Sequence, residues 1–171
     1  MLDNNTHVFK FCPHCRTEMQ RKQEGGTERP VCPDCHFVQY LNPAPAAAVI
    51  IRRGKKICLV KRKFEPKKGL WTFPSGFMEW DEDAPASAAR EVLEETGLEV
   101  KISALFRVES GILPPDNPVL VVFYLGEETG GRLEAGDDAA DVGFFDLDHL
   151  PGPIAFASHR KTMAAFAKEI M

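Results

Sequence analysis

The stretch Gly76-Phe77-Met78-Glu79-Trp80-Asp81-Glu82-Asp83-Ala84-Pro85-Ala86-Ser87-Ala88-Ala89-Arg90-Glu91-Val92-Leu93-Glu94-Glu95-Thr96-Gly97-Leu98 sets the reading of the whole chain. Within it Ala84–Thr96 reads as a helix: Asp83 supplies an N-cap, Pro85 is tolerated in the first turn, and Gly97 stops it. At about 100° per residue, Glu91, Glu94 and Glu95 fall within roughly a 100° arc. Pro85, Ala86, Ala89, Val92, Leu93 and Thr96 are expected to pack on the opposite side, leaving the three carboxylates on a face of their own. Neighbouring like charges repel, and an i,i+4 pair such as Glu91 and Glu95 costs a helix roughly 0.2–0.5 kcal/mol. A hard divalent cation taking carboxylate oxygens offsets that cost. A solvated acidic face is the plain alternative.

Working outward, Ala46–Arg53 and Lys56–Lys63 read as paired strands around a turn at Gly54. Trp71–Phe73 is a short strand stopped by Pro74-Ser75-Gly76. Further strands are expected near Glu99–Val108, Val119–Leu125 and Val142–Asp146, and Ala157–Ile170 has the spacing of a closing amphipathic helix. Alternating strands and helices make residues 41–171 an α/β domain, entered through the stiff linker Leu41-Asn42-Pro43-Ala44-Pro45.

Residues 1–40 form a separate unit. Cys12, Cys15, Cys32 and Cys35 make two C-x₂-C pairs around a polar segment centred on Gly25-Gly26, which reads as a hairpin or loop. Such paired knuckles indicate a tetrahedral, structural Zn²⁺ site. His14 and His36 flank the ligands, but four thiolates already complete the shell. A forty-residue unit has too little core to fold unaided, so zinc loss should unfold it while the larger domain survives.

The spacing from Gly76 through five residues to Glu82, then seven to Arg90-Glu91-Val92-Leu93-Glu94-Glu95-Thr96-Gly97-Leu98, resembles the Nudix box. Its pattern is G-x₅-E-x₇-R-E-U-x-E-E-x-G-U with U a bulky aliphatic, and every specified position matches. Glu79 and Trp71-Thr72-Phe73-Pro74 agree with flanking features of the family, whereas Ser75 stands where glycine is frequent. The resemblance implies an α/β/α sandwich with a mixed sheet and Mg²⁺- or Mn²⁺-dependent cleavage of a nucleoside diphosphate linked to a further group. It makes Glu91, Glu94 and Glu95 the metal ligands, pairs Glu82 with Arg90, and uses Gly76 and Gly97 as backbone positions. A further carboxylate, base or extra ligand, comes in this family from a variable loop. Here Glu134, Asp137, Asp138 and Asp141 are available; Asp138 is favoured and Asp141 is next.

The net charge of −4 is segregated: residues 41–75 carry nine Lys or Arg and one acid, residues 76–171 seven and nineteen. A polyphosphate held between protein and metal cations suits that division. Arg52, Arg62 and Lys67 are candidate phosphate contacts, and Phe64, Phe123 or Tyr124 candidate adenine platforms. The cysteine knuckles followed by Tyr40-Leu41-Asn42-Pro43 resemble the zinc-ribbon branch of the family, which includes NADH, FAD and ADP-ribose pyrophosphatases. The NADH-type Ser-Gln-Pro-Trp motif is missing after the box. Pro114 sits sixteen residues beyond it, as in ADP-ribose hydrolases, and Ile154-Ala155-Phe156-Ala157-Ser158 resembles the ADP-ribose/FAD type. ADP-ribose therefore ranks first, FAD and NADH behind it, and triphosphate hydrolysis remains an alternative. Residues 1–40 carry five charges of each sign and no basic stripe, which argues against a nucleotide-sensing, nucleic-acid-binding regulator. The longest apolar run, Ala44 to Ile51, is too short to span a bilayer and is interrupted by Pro45. The first ten residues lack a signal pattern, so a cytoplasmic protein is expected. The resemblance also implies a homodimer.

Overall fold

A computed structural model describes residues 7–170; residues 1–6, part of the expected ribbon unit, and Met171 lie outside the described residues. The chain divides into two compact units, Met1–Pro43 and Ala44–Met171.

In the first unit β1 (Gln20–Glu24) and β2 (Thr27–Val31) form an antiparallel hairpin. Its two central residues, Gly25 and Gly26, both have positive φ, as a tight hairpin turn that matches strand twist requires. The two cysteine knuckles repeat one design. The Cys12 carbonyl accepts from Arg16 N–H at 2.9 Å and the Cys32 carbonyl from His36 N–H at 3.2 Å, while Cys12 N–H and Cys32 N–H donate to Thr17 and Phe37 carbonyls at 2.8 Å.

The second unit contains β3 (Ala44–Arg53), β4 (Lys56–Arg62), β5 (Trp71–Thr72), β6 (Ser75–Phe77), α1 (Ala84–Thr96), β7 (Leu98–Leu113), β8 (Asn117–Gly131), β9 (Ala139–Asp146) and α2 (Ala157–Ile170). The sheet order is β5-β4-β3-β8-β7, with β6 added to β3 and β9 to β4. β3 runs parallel to β8 while β7 and β8 are antiparallel, so the sheet is mixed. β3 and β4 pair only at Arg52–Ile57 and Arg53–Lys56, then diverge towards separate partners.

Successive residues of β3 bury on opposite faces. Ala46, Ala48 and Ile50 join a core with Met163 and Phe166 of α2; Ala47, Val49 and Ile51 join one with Ala88 and Val92 of α1. A strand covered on both faces is a continuous apolar run, as this segment is. The result is the expected α/β/α arrangement. No helix among the described residues is long and apolar enough to cross a membrane.

Both helices occupy their expected residues. Asp83 accepts from Ala86 N–H at 2.8 Å, and Gly97 closes α1 in the left-handed region at φ 68°, its N–H donating to the Leu93 carbonyl. The packed face of α1 differs from expectation. Its buried residues are Ser87, Ala88, Val92, Glu95 and Thr96, whereas Pro85, Ala86 and Leu93 are exposed. Ala88 and Val92 lie within about 60° of Glu95 around the helix, and Leu93 lies about 160° away. The apolar stripe and the carboxylates therefore share one side. β7 and β8 are longer than the alternation suggests, because bulges near Val100, Ala104 and Arg107 break the period of two. Ser75 and Gly76, expected only as part of the stop Pro74-Ser75-Gly76, form with Phe77 a short strand that pairs with Ala46–Ala48.

Asp83→Ala removes the carboxylate that accepts from Ala86 N–H at the N-terminus of α1. It is expected to lower unfolding free energy by about 1 kcal/mol in denaturant titration; an unchanged midpoint would show that the cap contributes nothing.

Candidate active site and metal centre

β6 brings backbone against the acidic side of α1. Gly76 pairs with Ala47, and a Cβ on it would overlap the Glu91 carboxylate, which could keep its present position only beside a glycine. The neighbouring Ser75 N–H donates to Glu95 Oε2 at 2.8 Å. Glu95 is 4% exposed. Burial pushes its carboxyl up to about 9 against the Ser75 hydrogen bond, and the charges of Asp138 and Glu91 add to the rise. Burial raises Glu91 as well, opposed by Arg90 and reinforced by Glu94 and Asp138.

Arg90 organises the other side. Its Nη2 donates to Glu82 Oε2 at 2.9 Å and to the Phe77 carbonyl at 3.1 Å, so the expected Glu82–Arg90 pair is present. That contact, with the Glu79 N–H, holds Glu82 down at about 2. The same guanidinium also reaches Glu91 Oε1 at 2.7 Å and Glu94 Oε2 at 3.0 Å, contacts that box spacing alone does not foretell. Glu91 and Glu94 are thus bridged by Arg90 while Glu95 turns to Ser75. Among the described residues these oxygens are not gathered as tightly as the cysteine sulfurs. A set of hard oxygen donors, two of which, Glu91 and Glu95, are raised by burial, nevertheless suits Mg²⁺ or Mn²⁺, whose charge reverses that local penalty.

A cavity of roughly 160 Å³ opens beside Gly76. Asp138 and Arg62 line it with Ser75, Phe77, Phe156 and His159. Arg62 donates from Nε to the Pro66 carbonyl at 2.7 Å and lies over the Phe156 ring. The other sequence candidates are elsewhere. Arg52 is at the β3–β4 hairpin end, six residues and about 20 Å along the strand from Ala46 of the cavity wall. Lys67 is an exposed turn residue at φ 67°, and Asp141 sits opposite Lys61 in the sheet with its carboxylate on Val142 N–H. Glu134 and Asp137 are exposed. Phe123 and Tyr124 belong to the two cores, and Phe64 is exposed. Sequence reasoning did not single out His159: the apolar spacing that gave α2 conceals that Ser158 and His159 in its first turn are buried.

In the first unit the four sulfurs all lie within 4.8 Å of one another, with Cys12–Cys35 at 3.5 Å and Cys15–Cys32 at 3.3 Å. Tetrahedral Zn–S bonds of about 2.3 Å place sulfurs about 3.8 Å apart, so the set fits zinc. His14 stacks on Phe37, and neither it nor His36 joins the sulfur set.

Residues 42–166 match the family description "NUDIX domain". The chain is 40% identical over 132 residues to an ADP-ribose pyrophosphatase of Methanocaldococcus jannaschii, covering 75% of this chain and 76% of that protein. It is 32% identical to the NAD-capped RNA hydrolase NudC of Chromobacterium violaceum, covering 90% of this chain but only 57% of that protein's length. Among solved structures, a NUDIX hydrolase from Nitrosomonas europaea superposes with a TM-score of 0.82 at 32% identity, over 94% of this chain and 92% of that one.

Gly76→Ala forces the Glu91 carboxylate aside and is expected to weaken Mn²⁺ binding roughly tenfold or more in calorimetry; wild-type affinity would remove Glu91 from the ligand set. Elemental analysis should find one zinc per chain, lost in Cys12→Ser, with the first unit unfolding separately from the second. Zinc retained at full stoichiometry in that variant would exclude the four-thiolate site.

Proposed function

The chain belongs to the NUDIX family and is a pyrophosphohydrolase of that family, and we propose that it hydrolyses ADP-ribose to AMP and ribose 5-phosphate. The observation carrying the reading is the convergence of Glu91, Glu95 and Asp138 beside Gly76, at the edge of a cavity that also receives Arg62. The identity to the Methanocaldococcus jannaschii ADP-ribose pyrophosphatase, which spans three quarters of each chain, supports the choice of substrate.

Glu91, Glu94 and Glu95 would hold the divalent cation, which when bound neutralises diphosphate oxygens and acidifies a coordinated water. The chain does the rest. Glu82 fixes Arg90, Arg90 orients the acidic side of α1, and the Ser75 N–H holds Glu95 against β6. Asp138 accepts the proton of the attacking water at its carboxylate. The water oxygen bonds to one phosphorus as the bridging P–O bond breaks, and the departing phosphate leaves with the shared oxygen. The guanidinium of Arg62, its Nε anchored on Pro66, presents its remaining N–H groups to diphosphate oxygens. Arg62 is favoured over Arg52 and Lys67 because it alone of the three borders the cavity.

A second reading, a dinucleotide joined to a longer chain, is favoured by the 32% identity to the NAD-capped RNA hydrolase. An initial-rate panel of ADP-ribose, FAD, NADH, NAD-capped RNA and nucleoside triphosphates with Mg²⁺ separates the readings. ADP-ribose should give the highest kcat/KM, with AMP and ribose 5-phosphate as products; pyrophosphate released from a preferred triphosphate would overturn the assignment. Glu94→Gln should reduce turnover to background with the thermal transition intact, and wild-type-like rates would remove Glu94 from the cation site.

A further inference from the structure

The cavity beside Gly76 ends on the first turn of α2. Ser158 and His159 are 5% and 3% exposed, and both line it. The Phe73 N–H donates to His159 Nδ1 at 3.3 Å, and Thr72 Oγ1 lies 2.7 Å from the same nitrogen. A backbone N–H cannot accept, so Nδ1 is the acceptor and the hydrogen-bond network places the imidazole proton on Nε2. Burial, with the Arg62 charge adding to it, holds the ring neutral by depressing its pKa to about 3. Phe73, Phe123 and Phe156 surround the ring and fix its plane.

Neither Nε2 of His159 nor Oγ of Ser158 has a hydrogen-bond partner among the described residues. Thr162 Oγ1 is the one buried side-chain polar atom there that is sealed from solvent without a partner. The free atoms of Ser158 and His159 are therefore open to the cavity they line. The residues are nearly buried but these two atoms face the cavity, so water entering it can meet them and a ligand with a matched polar edge can replace that water.

The chemistry of the wall defines that ligand. Phe77, Phe156, Leu113 and Val121 are apolar, and the Ser158–His159 end is uncharged. Phosphate is drawn to the side of the same cavity that carries Arg62, whose charge bears on the His159 ring; at the Ser158–His159 end a neutral planar heterocycle finds flat apolar sides and one matched polar edge. The volume, roughly 160 Å³, is close to the ~150 Å³ cavity that accepts a benzene ring in an engineered core. It takes a ring system, not a whole dinucleotide. We propose that Ser158 and His159 are the specificity-determining residues for the nucleobase: Nε2–H donates to a ring nitrogen of adenine, and Ser158 Oγ accepts from its exocyclic amine. The choice of adenine rests on ADP-ribose as substrate.

The test uses the full zinc-loaded chain and AMP with its 1-deaza, 3-deaza and 7-deaza analogues, measured by calorimetry with Mg²⁺. One analogue should bind the wild type about tenfold more weakly than AMP, and that penalty should vanish in His159→Phe, which keeps the aromatic packing. Ser158→Ala should erase the preference for AMP over IMP, and decides the matter if His159→Phe does not fold. Equal binding of all three deaza analogues and AMP by the wild type would overturn the proposal, as would a penalty that persists in a folded His159→Phe. ADP-ribose hydrolysis without AMP binding would sink the base slot and spare the function. AMP binding with the expected analogue pattern, but no ADP-ribose hydrolysis, would do the reverse.

Discussion

Glu95 is a carboxylate buried in the wall between a helix and a strand, and the surrounding residues are arranged to keep it there. Moving such a group out of water costs several kcal/mol when it is charged and unpaired. Ser75 supplies one backbone donor, Gly76 supplies room by having no side chain, and Glu91 and Asp138 add charge of the wrong sign. An ordinary amphipathic helix would place alanine or leucine at position 95. Under the proposed function the arrangement would prepare oxygen donors for a cation at a point where backbone comes close. Apolar contacts of Ala47, Val49 and Ile51 on one face of β3 with Ala88 and Val92 hold α1 in place despite the charge repulsion along one side of it.

The topology explains why two layers contribute to one site. β3 and β4 separate after the hairpin, and β6 fills the space along the first residues of β3. Glutamates from α1 approach β6 from one layer. Ser158 and His159 of α2 approach from the other, through a cavity whose walls include Ala46, Val119 and Val121 of the α2-side core. Arg62 at the end of β4 and Asp138 before β9 close the remaining sides. Divergence of paired strands thus exposes a seam in an otherwise covered sheet, and the residues proposed for the site line that seam.

Local signals in the sequence were reliable where local physics decides. The bounds of α1 follow from Asp83 and Gly97, each of which makes its capping hydrogen bond within about one helical turn of itself, Asp83 to Ala86 and Gly97 to Leu93. The run Ala46–Arg53 reads as a strand and is one, although β3 starts at Ala44 and so takes in the last two residues of the expected linker, and the cysteine spacing betrays two like turns. Packing direction was less legible. Leu93 is apolar yet exposed, and Glu95 is acidic yet buried, because the face of α1 is chosen by the sheet contact of Ala88 and Val92. β6 was hidden since Pro74 and Gly76 look like punctuation, and only the partner strand makes Ser75–Phe77 a strand. Arg52 and Arg62 are equally basic in sequence; ten residues of hairpin place them at different ends of the domain.

The two candidate metal centres differ in how far the backbone preassembles them. In the first unit each knuckle holds its own turn by paired main-chain hydrogen bonds, and short cysteine side chains leave the sulfurs little freedom. Such a shell is closed by its four ligands and suits a resident structural ion. On α1 the donors are long glutamate side chains, and Arg90 engages Glu91 and Glu94 at once. A cation binding there must compete with a guanidinium that Glu82 holds in place. That competition lowers affinity for the cation alone, whereas a diphosphate arriving with its own negative oxygens restores the balance of charge. The cation and the nucleotide are therefore expected to bind with positive coupling, a consequence of placing one arginine among four glutamates on a single loop and helix.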